Sequence, residues 1–165
     1  MDTDLALSPA DLAERWRALS DDPESPEHFE INQFGEVILA PKPTTRHQRR
    51  SFQVATALQA QLGPEAATEV SVMTDQGVRV PDAVWMPSER WRQANDATPL
   101  PFVPDICVEV LSPGNTRAEI EMKKNAYLRG GAREVIVVLL DGTIEFCGAE
   151  GNRQASGLGL VFNLT

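Results

Sequence analysis

The passage between residues 106 and 140 is the feature that most constrains the fold of this chain. Residues 106–111 are almost continuously apolar, as expected of a central strand that is covered on both faces. Thr116 and Glu119 form a capping box that opens a helix, and Gly130 ends it. Residues 135–140 form a second apolar strand. Two such strands joined by a helix form a parallel pair with a right-handed crossover, so the sequence predicts an α/β or α+β domain with a mixed sheet.

Local signals predict the other elements. Ser8 and Pro9 start a short helix that reaches about residue 19. Thr44 or Thr45 caps a longer helix that reaches about residue 62, in which apolar residues recur at helical spacing. Those apolar residues are Phe52, Ala55, Leu58 and Leu62. The remaining predictions are a hairpin of residues 28–32 and 36–40, strands at 68–74 and 78–86, a long loop at 87–104, and a hairpin strand at 143–147.

Composition indicates an ordinary globular domain. The chain has 165 residues, of which 42% are hydrophobic and 24% charged, enough to build a core without disulfides or a structural metal. Cys107 and Cys147 form no C-x-x-C pair and lie in apolar runs, which excludes a zinc ribbon and predicts buried thiols.

No apolar run approaches the ~18 residues that cross a bilayer, and the start of the chain lacks the basic region of a secretion signal. We therefore expect a cytoplasmic protein.

The acidic charge is concentrated near the start of the chain. The net charge is −9, and residues 1–36 carry ten acidic residues against only Arg15 and Arg17. Residues 37–64 contain no acidic residue. We interpret residues 1–26 as an acidic N-terminal arm with a short helix, and residues 27–165 as one domain. Because the acidity is local, an anionic partner is not excluded elsewhere on the surface.

Two carboxylates lie among strand residues that are otherwise apolar and predicted to be buried. Alternation along the 78–86 strand places Asp82 between apolar residues, and Glu109 lies within the 106–111 strand. An ionised carboxylate is costly to bury unless it is paired or binds a metal. In the helix that follows, Lys123 and Lys124 both fall within the apolar arc that should face the sheet.

Two interpretations of these four residues stay open. In the first, the lysines extend past the rim of the core or pair with Asp82 and Glu109 as buried salt bridges. In the second, Asp82 and Glu109 bind Mg²⁺ or Mn²⁺ through oxygen, and a lysine orients the water that attacks a phosphodiester.

A longer set of motifs resembles a known family. The motifs are Val80-Pro81-Asp82-Ala83-Val84, the run from Pro104-Asp105-Ile106 to Gly114-Asn115-Thr116, and Lys123-x-x-x-Tyr127-x-x-x-Gly131-x-x-Glu134. This pattern resembles the Uma-two family of restriction endonucleases, a branch of the PD-(D/E)xK nuclease superfamily. The likeness runs from about residue 27 to 148, and implies a restriction-endonuclease-like fold: a mixed sheet flanked by helices, with an N-terminal helix and hairpin.

The resemblance also implies site residues. Asp82 matches the aspartate of the Pro-Asp motif, Glu109 the acidic residue of the second motif, and Glu30 the family's N-terminal glutamate. Leu111 departs from the superfamily pattern, which places the catalytic lysine two residues after the glutamate. Lys123, four residues before Tyr127, matches a lysine taken from the following helix, and Lys124 lies in the same arc.

The first functional hypothesis is therefore a Mg²⁺-dependent endonuclease, with Mn²⁺ as an alternative cation and DNA as substrate. Asp82 and Glu109 hold the metal, Lys123 positions the water and Glu30 assists. Short nuclease domains commonly pair their active sites, so we expect a homodimer. Arg46, Arg49 and Arg50 are candidate phosphate contacts, although such residues most often form a solvated helix face. His47 is a weaker catalytic candidate, because a lone histidine more often caps or packs.

The second hypothesis belongs to another class. Leu111 and the acidic net charge favour a catalytically inactive member of the fold, in which the acidic arm docks a basic partner.

Overall fold

The computed structural model describes residues 5–165. Asp2 and Asp4 of the acidic arm lie outside the described residues, as does the start of the chain, where the sequence predicts no secretion signal. The helices are α1 (Pro9–Asp21), α2 (Thr45–Leu62), α3 (Ser88–Ala94) and α4 (Arg117–Arg129). The strands are β1 (Phe29–Ile31), β2 (Val37–Leu39), β3 (Ala66–Thr68), β4 (Val72–Thr74), β5 (Gly77–Arg79), β6 (Ala83–Trp85), β7 (Ile106–Val110), β8 (Glu134–Val138), β9 (Ile144–Gly148) and β10 (Gly151–Arg153).

A six-stranded sheet forms the centre of the fold, in the order β10-β9-β8-β7-β6-β3. β7 and β8 are parallel and α4 connects them, which confirms the predicted crossover. Both faces are covered: Ile106 and Val108 pack with α2, whereas Cys107 packs with Tyr127 of α4. This double cover is the physical reason for the apolar run in β7.

A second, four-stranded antiparallel sheet has the order β2-β1-β5-β4. The helix α1 packs on it through Leu12 and Trp16, which contact the cluster around Ile31 and Val78. The acidic side chains of α1 therefore lie on the outer face of a helix that is anchored to the fold.

Three predicted helix starts are confirmed. The hydroxyls of Ser8, Thr44 and Thr116 each accept a hydrogen bond from the backbone N–H three residues later, at 3.1, 3.1 and 3.2 Å. α2 and α4 flank the cavity described below, so these caps fix where two walls of the site begin.

The prediction of one strand over residues 78–86 is wrong. β5 belongs to the four-stranded sheet and β6 to the six-stranded sheet, and Pro81 and Asp82 lie between them. Proline has no N–H to donate to a ladder, so the chain leaves one sheet here and joins the other. The predicted strand over 68–74 is likewise two strands, β3 and β4, separated by Glu69 at a φ of 54°.

Three smaller predictions also need correction. The predicted loop 87–104 contains α3, and Leu100 and Val103 within it are buried. Phe52, predicted to lie on the buried stripe of α2, is 69% exposed, because that stripe runs through Val54 and Leu58 instead. β10 was not predicted; its pairing with β9 places β9 inside the sheet.

Cys107 and Cys147 are buried free thiols, as predicted. Within residues 5–165, no helix combines the length and the apolar character needed to cross a membrane.

Gly77 allows the closest approach between β5 and β1. It has a φ of 96°, and a Cβ atom placed there would lie 2.1 Å from the carbonyl oxygen of Ile31. Gly63 has a φ of 118° but has open space around the same position. Both positions therefore require a positive φ, which favours glycine. A side chain would clash with a neighbouring residue only at position 77.

We predict that Gly77→Ala lowers the free energy of unfolding by at least about 1 kcal/mol more than Gly63→Ala. Backbone strain alone costs about 1–3 kcal/mol at either position, and the clash with Ile31 adds to it only at Gly77. Urea unfolding of both variants measures the difference. Equal losses of stability would contradict this explanation.

Candidate active site

A cavity of about 530 Å³ opens where the two sheets, α1, α2 and α4 meet. Its lining brings together all four residues that the sequence predicted to be catalytic, and His47 with them. The four are Glu30, Asp82, Glu109 and Lys123.

Lys123 lies at the centre of this group. Its Nζ atom is 2.8 Å from Oε1 of Glu109 and 2.8 Å from Oε1 of Glu30. The lysine projects from α4 towards β7, as the helical arc predicted, but its second partner is Glu30 rather than Asp82. Lys124 points elsewhere: its Nζ contacts Glu121 at 2.6 Å and Asn152 at 3.3 Å. Of the two lysines in the arc, the structure therefore places Lys123 against the strand carboxylates.

Glu30 is held on every side. Its Oε1 atom accepts a hydrogen bond from the backbone N–H of Val80 at 2.8 Å, in addition to the contact with Lys123. Its Oε2 atom lies 3.2 Å from the guanidinium of Arg79, which is 2% exposed. Both oxygens of Glu30 are thus committed to groups of the protein itself.

Asp82 lies at the junction between the two sheets. Its Oδ2 atom accepts a hydrogen bond from the backbone N–H of Val110 at 2.6 Å, and its own N–H donates to the carbonyl of Val108 at 2.9 Å. Its Oδ1 atom is 3.0 Å from Nε2 of His47. The backbone of β7 therefore fixes Asp82 beside Glu109, since Val108 and Val110 flank that residue.

Glu109 retains one free oxygen. The hydroxyl of Tyr127 donates to Oε1 at 2.8 Å, the same oxygen that Lys123 contacts. Within the described part of the chain, no hydrogen bond reaches Oε2. The carboxylate faces the cavity, so Oε2 is the oxygen left to bind something that enters it.

The charges of the group determine its protonation. Burial disfavours the charge on Lys123, but Glu109 and Glu30 outweigh burial and hold its pKa well above the ordinary lysine value. Burial, together with the nearby carboxylates of Asp82 and Glu30, acts to raise the pKa of Glu109, and the ammonium of Lys123 opposes them by favouring the ionised form. Burial also acts to raise the pKa of Glu30, yet Lys123, the Val80 N–H and Arg79 together lower it. Lys123 therefore remains an ammonium ion and acts as a cation rather than as a base.

His47 lies closer to the site than the sequence suggested. Nε2 is its only hydrogen-bonded ring nitrogen, since Nδ1 is buried without a partner among the described residues. The hydrogen bond to Asp82 raises the pKa of His47, although burial partly opposes it. The imidazole therefore orients Asp82, a role a lone histidine in a sequence cannot reveal.

The residues present fit a hard divalent cation. Mg²⁺ is typically held by one or two carboxylates, with water and substrate phosphate as further ligands. Asp82 and Glu109 supply two such carboxylates to the cavity lining. Among residues 5–165, no cluster of three or more His, Cys, Asp or Glu side chains is arranged to hold a metal. Two carboxylates leave the other ligand positions of such a cation to water and substrate.

The three arginines of α2 have different surroundings. Arg50 donates to the carbonyls of Leu139 and Leu140, at 3.2 and 2.9 Å, and so tethers the turn between β8 and β9. Arg49 contacts Thr165 near the end of the chain. Arg46 is exposed and directly precedes the cavity-lining His47. Of the three arginines, Arg46 is the one adjacent in sequence to a residue that lines this cavity.

Sequence reasoning did not find two members of this group. Arg79 lies in a short buried strand, and nothing in its neighbours indicates that it pairs with Glu30. In the sequence, Tyr127 stands out only as part of the Lys123-x-x-x-Tyr127 motif. Its signal is the four-residue spacing after Lys123, which places both side chains on one face of α4.

Comparison with known proteins gives two matches. The family model described as "Uma2: Putative restriction endonuclease" matches residues 13–154. Among solved structures, the chain is similar to a protein described as a "putative nuclease belonging to DUF820" from Anabaena variabilis, with a TM-score of 0.67 and 17% identity over 82% of each chain. This likeness confirms the predicted fold. No curated protein matches the chain.

We predict that Lys123→Met lowers the free energy of unfolding by about 3–5 kcal/mol, because it leaves two buried carboxylates without their cation. The matched variant Lys124→Met removes a contact with Glu121, whose side chain is 41% exposed, and should cost at most about 1 kcal/mol. Chemical unfolding of the two variants tests this. If both lose the same stability, the ion pairs of Lys123 do not hold the site together.

Proposed function

We propose that this chain, which belongs to the Uma2 family, is a metal-dependent endonuclease that hydrolyses phosphodiester bonds of DNA with Mg²⁺ or Mn²⁺. One observation carries the proposal. The ammonium of Lys123 reaches Glu109 from α4, and both residues line the same open cavity as Asp82. Family membership and the likeness to a nuclease fold support it.

Asp82 and Glu109 would hold the cation. Oε2 of Glu109 is free for this purpose, and Oδ1 of Asp82 can add a ligand while it keeps its contact with His47, because each carboxylate oxygen has two lone pairs. When bound, a divalent cation polarises the phosphodiester and lowers the pKa of an attacking water.

Lys123 would position that water and offset the developing negative charge. An ammonium has three N–H donors, and Glu30 and Glu109 occupy two of them. The third is free for a water molecule or a phosphate oxygen. Since Lys123 remains protonated, its contribution is orientation and charge, and not removal of a proton.

Leu111 does not weaken this proposal. It is partly buried and packs against the same apolar cluster as Tyr127. The position that the superfamily pattern gives to a lysine is thus filled by a core residue, while α4 supplies the ammonium from across the cavity.

Three further residues would act as positioning residues. Glu30, itself fixed by Arg79, holds Lys123 in place. His47 orients Asp82, and Tyr127 orients Glu109. With these roles, Glu30 assists the reaction without touching the cation.

The primary test is nicking of supercoiled and single-stranded DNA with Mg²⁺ or Mn²⁺. We expect cleavage by the wild type and a loss of at least about 100-fold in Glu109→Gln and Asp82→Asn, because each removes a charged ligand. Asp75→Asn is the matched control: Asp75 pairs with Arg129 at the surface and does not line the cavity.

Calorimetry with Mn²⁺ separates the outcomes. If the wild type neither cleaves DNA nor binds Mn²⁺, the endonuclease is refuted and the catalytically inactive binding module is favoured. Binding of Mn²⁺ that Glu109→Gln abolishes would support the metal site independently of cleavage.

Tyr127→Phe provides a finer prediction. It removes one hydrogen bond to Oε1 of Glu109 and little volume, so we expect a cleavage rate about tenfold lower with little change in KM. Steady-state kinetics on an oligonucleotide measures both constants. A raised KM with unchanged kcat would instead place Tyr127 in substrate binding.

A further inference from the structure

Two oppositely charged segments leave the open end of the β1–β2 hairpin and line the cavity. They separate at the hydrogen bond from the N–H of Ala40 to the carbonyl of His28, at 3.2 Å. The acidic segment is residues 22–28, which enter the hairpin, and the basic segment is residues 41–47, which leave it. Both contribute several residues to the cavity lining.

The acidic segment carries Asp22, Glu24 and Glu27, all exposed, with no lysine or arginine. Asp22 and Glu27 line the cavity. α1 anchors this segment, because Trp16 is packed in the core of the second sheet and also lines the cavity. The negative charge is therefore held at the cavity wall rather than on a detached tail.

The basic segment carries Lys42 and Arg46, both exposed, and no acidic residue. Lys42 lies between Pro41 and Pro43, which line the cavity. The segment also contains the N-terminus of α2, whose first turn has no acidic residue. The helix dipole there adds to the positive potential of the two side chains.

We infer that the site takes an unpaired DNA strand in preference to duplex, and that the acidic segment excludes the second strand. The inference rests on the proposed function. The phosphates of one strand would follow the basic segment while the scissile bond meets Lys123. In duplex DNA the second backbone lies across a groove about 6–12 Å wide, within reach of the acidic segment at a Debye length of about 8 Å.

The size of the cavity agrees with this assignment. A volume of about 530 Å³ lies within the range of about 300–1,000 Å³ that is typical of small-molecule pockets. Such a space accommodates a short stretch of one strand. The walls come from α1, α2 and α4 of the same chain, so a second backbone has to lie outside, against the acidic segment.

The experiment compares a labelled oligonucleotide of about 20 nucleotides, free of self-complementarity, with the same strand annealed to its complement. Cleavage is measured with Mn²⁺, and binding by fluorescence anisotropy in EDTA. We expect the wild type to cut the single strand at least about tenfold faster, with a preference that shrinks as salt rises.

Variants that remove charge test whether the acidic segment causes the preference for a single strand. Asp22→Asn with Glu27→Gln should lower the ratio of single-strand to duplex cleavage by about three- to tenfold, because the repulsion of the second backbone falls. Asparagine at position 22 keeps the oxygen that accepts from the N–H of Glu24. Glu14→Gln with Glu150→Gln, two exposed residues away from the cavity, changes the net charge equally and should leave the ratio unchanged. Lys42→Ala with Arg46→Ala should weaken single-strand binding.

Each outcome decides a separate point. Duplex cleavage by the wild type that is as fast as single-strand cleavage overturns the inference and leaves the endonuclease standing. Equal ratios for the cavity pair and the control pair overturn the role of the acidic segment. If neither substrate is cut under any condition, the inference falls together with the proposed function.

Discussion

The ammonium of Lys123 connects the two sheets of this protein. Glu30 belongs to the four-stranded sheet, Glu109 to the six-stranded sheet, and Lys123 to the helix that joins β7 to β8; both of its ion pairs measure 2.8 Å. A buried charge is tolerated only when partners surround it, so the three elements must keep one relative position. Arg79 extends the same constraint to β5. The geometry of the cavity is therefore a consequence of charge balance as much as of apolar packing.

The break at Pro81 and Asp82 places a second carboxylate within this frame. A continuous strand would have kept Asp82 in one sheet, with its carboxylate facing apolar neighbours. Because the chain passes from one sheet to the other there, the carboxylate points to the end of β7 and accepts a hydrogen bond from the N–H of Val110. The interruption of the hydrogen-bond ladder thus places Asp82, with polar partners, in the same cavity lining as Glu109.

Much of the site could be predicted because buried charges stand out against apolar patterns. Alternation indicated Glu109, and helical spacing indicated both Lys123 and Lys124, since these are local properties of the sequence; the family resemblance then favoured Lys123. Asp82 was identified even though its strand was assigned incorrectly, because the resemblance of the Pro-Asp motif did not depend on that strand. Arg79 and the contact between His47 and Asp82 were not predicted, because they depend on how separate elements pack. Phe52 shows the converse error: apolar spacing indicated burial, but the buried side of α2 runs through Val54, Ala55 and Leu58.

The acidic net charge, which argues against a nucleic-acid partner when taken as a sum, has a different meaning once its location is known. Among residues 5–165, seven carboxylates line the cavity, from Asp22 in the N-terminal arm to Glu119 in α4, and Lys123 is the only lysine or arginine of the lining. A polyanion can approach such a surface only where positive charge compensates it. Lys42 and Arg46 of the basic segment, which are exposed beside the lining residues Pro41, Pro43 and His47, would provide part of that charge, and a divalent cation between Asp82 and Glu109 would provide the rest at the reacting bond. An anionic substrate and an acidic cavity are compatible under this arrangement, provided that one backbone enters and the second stays outside.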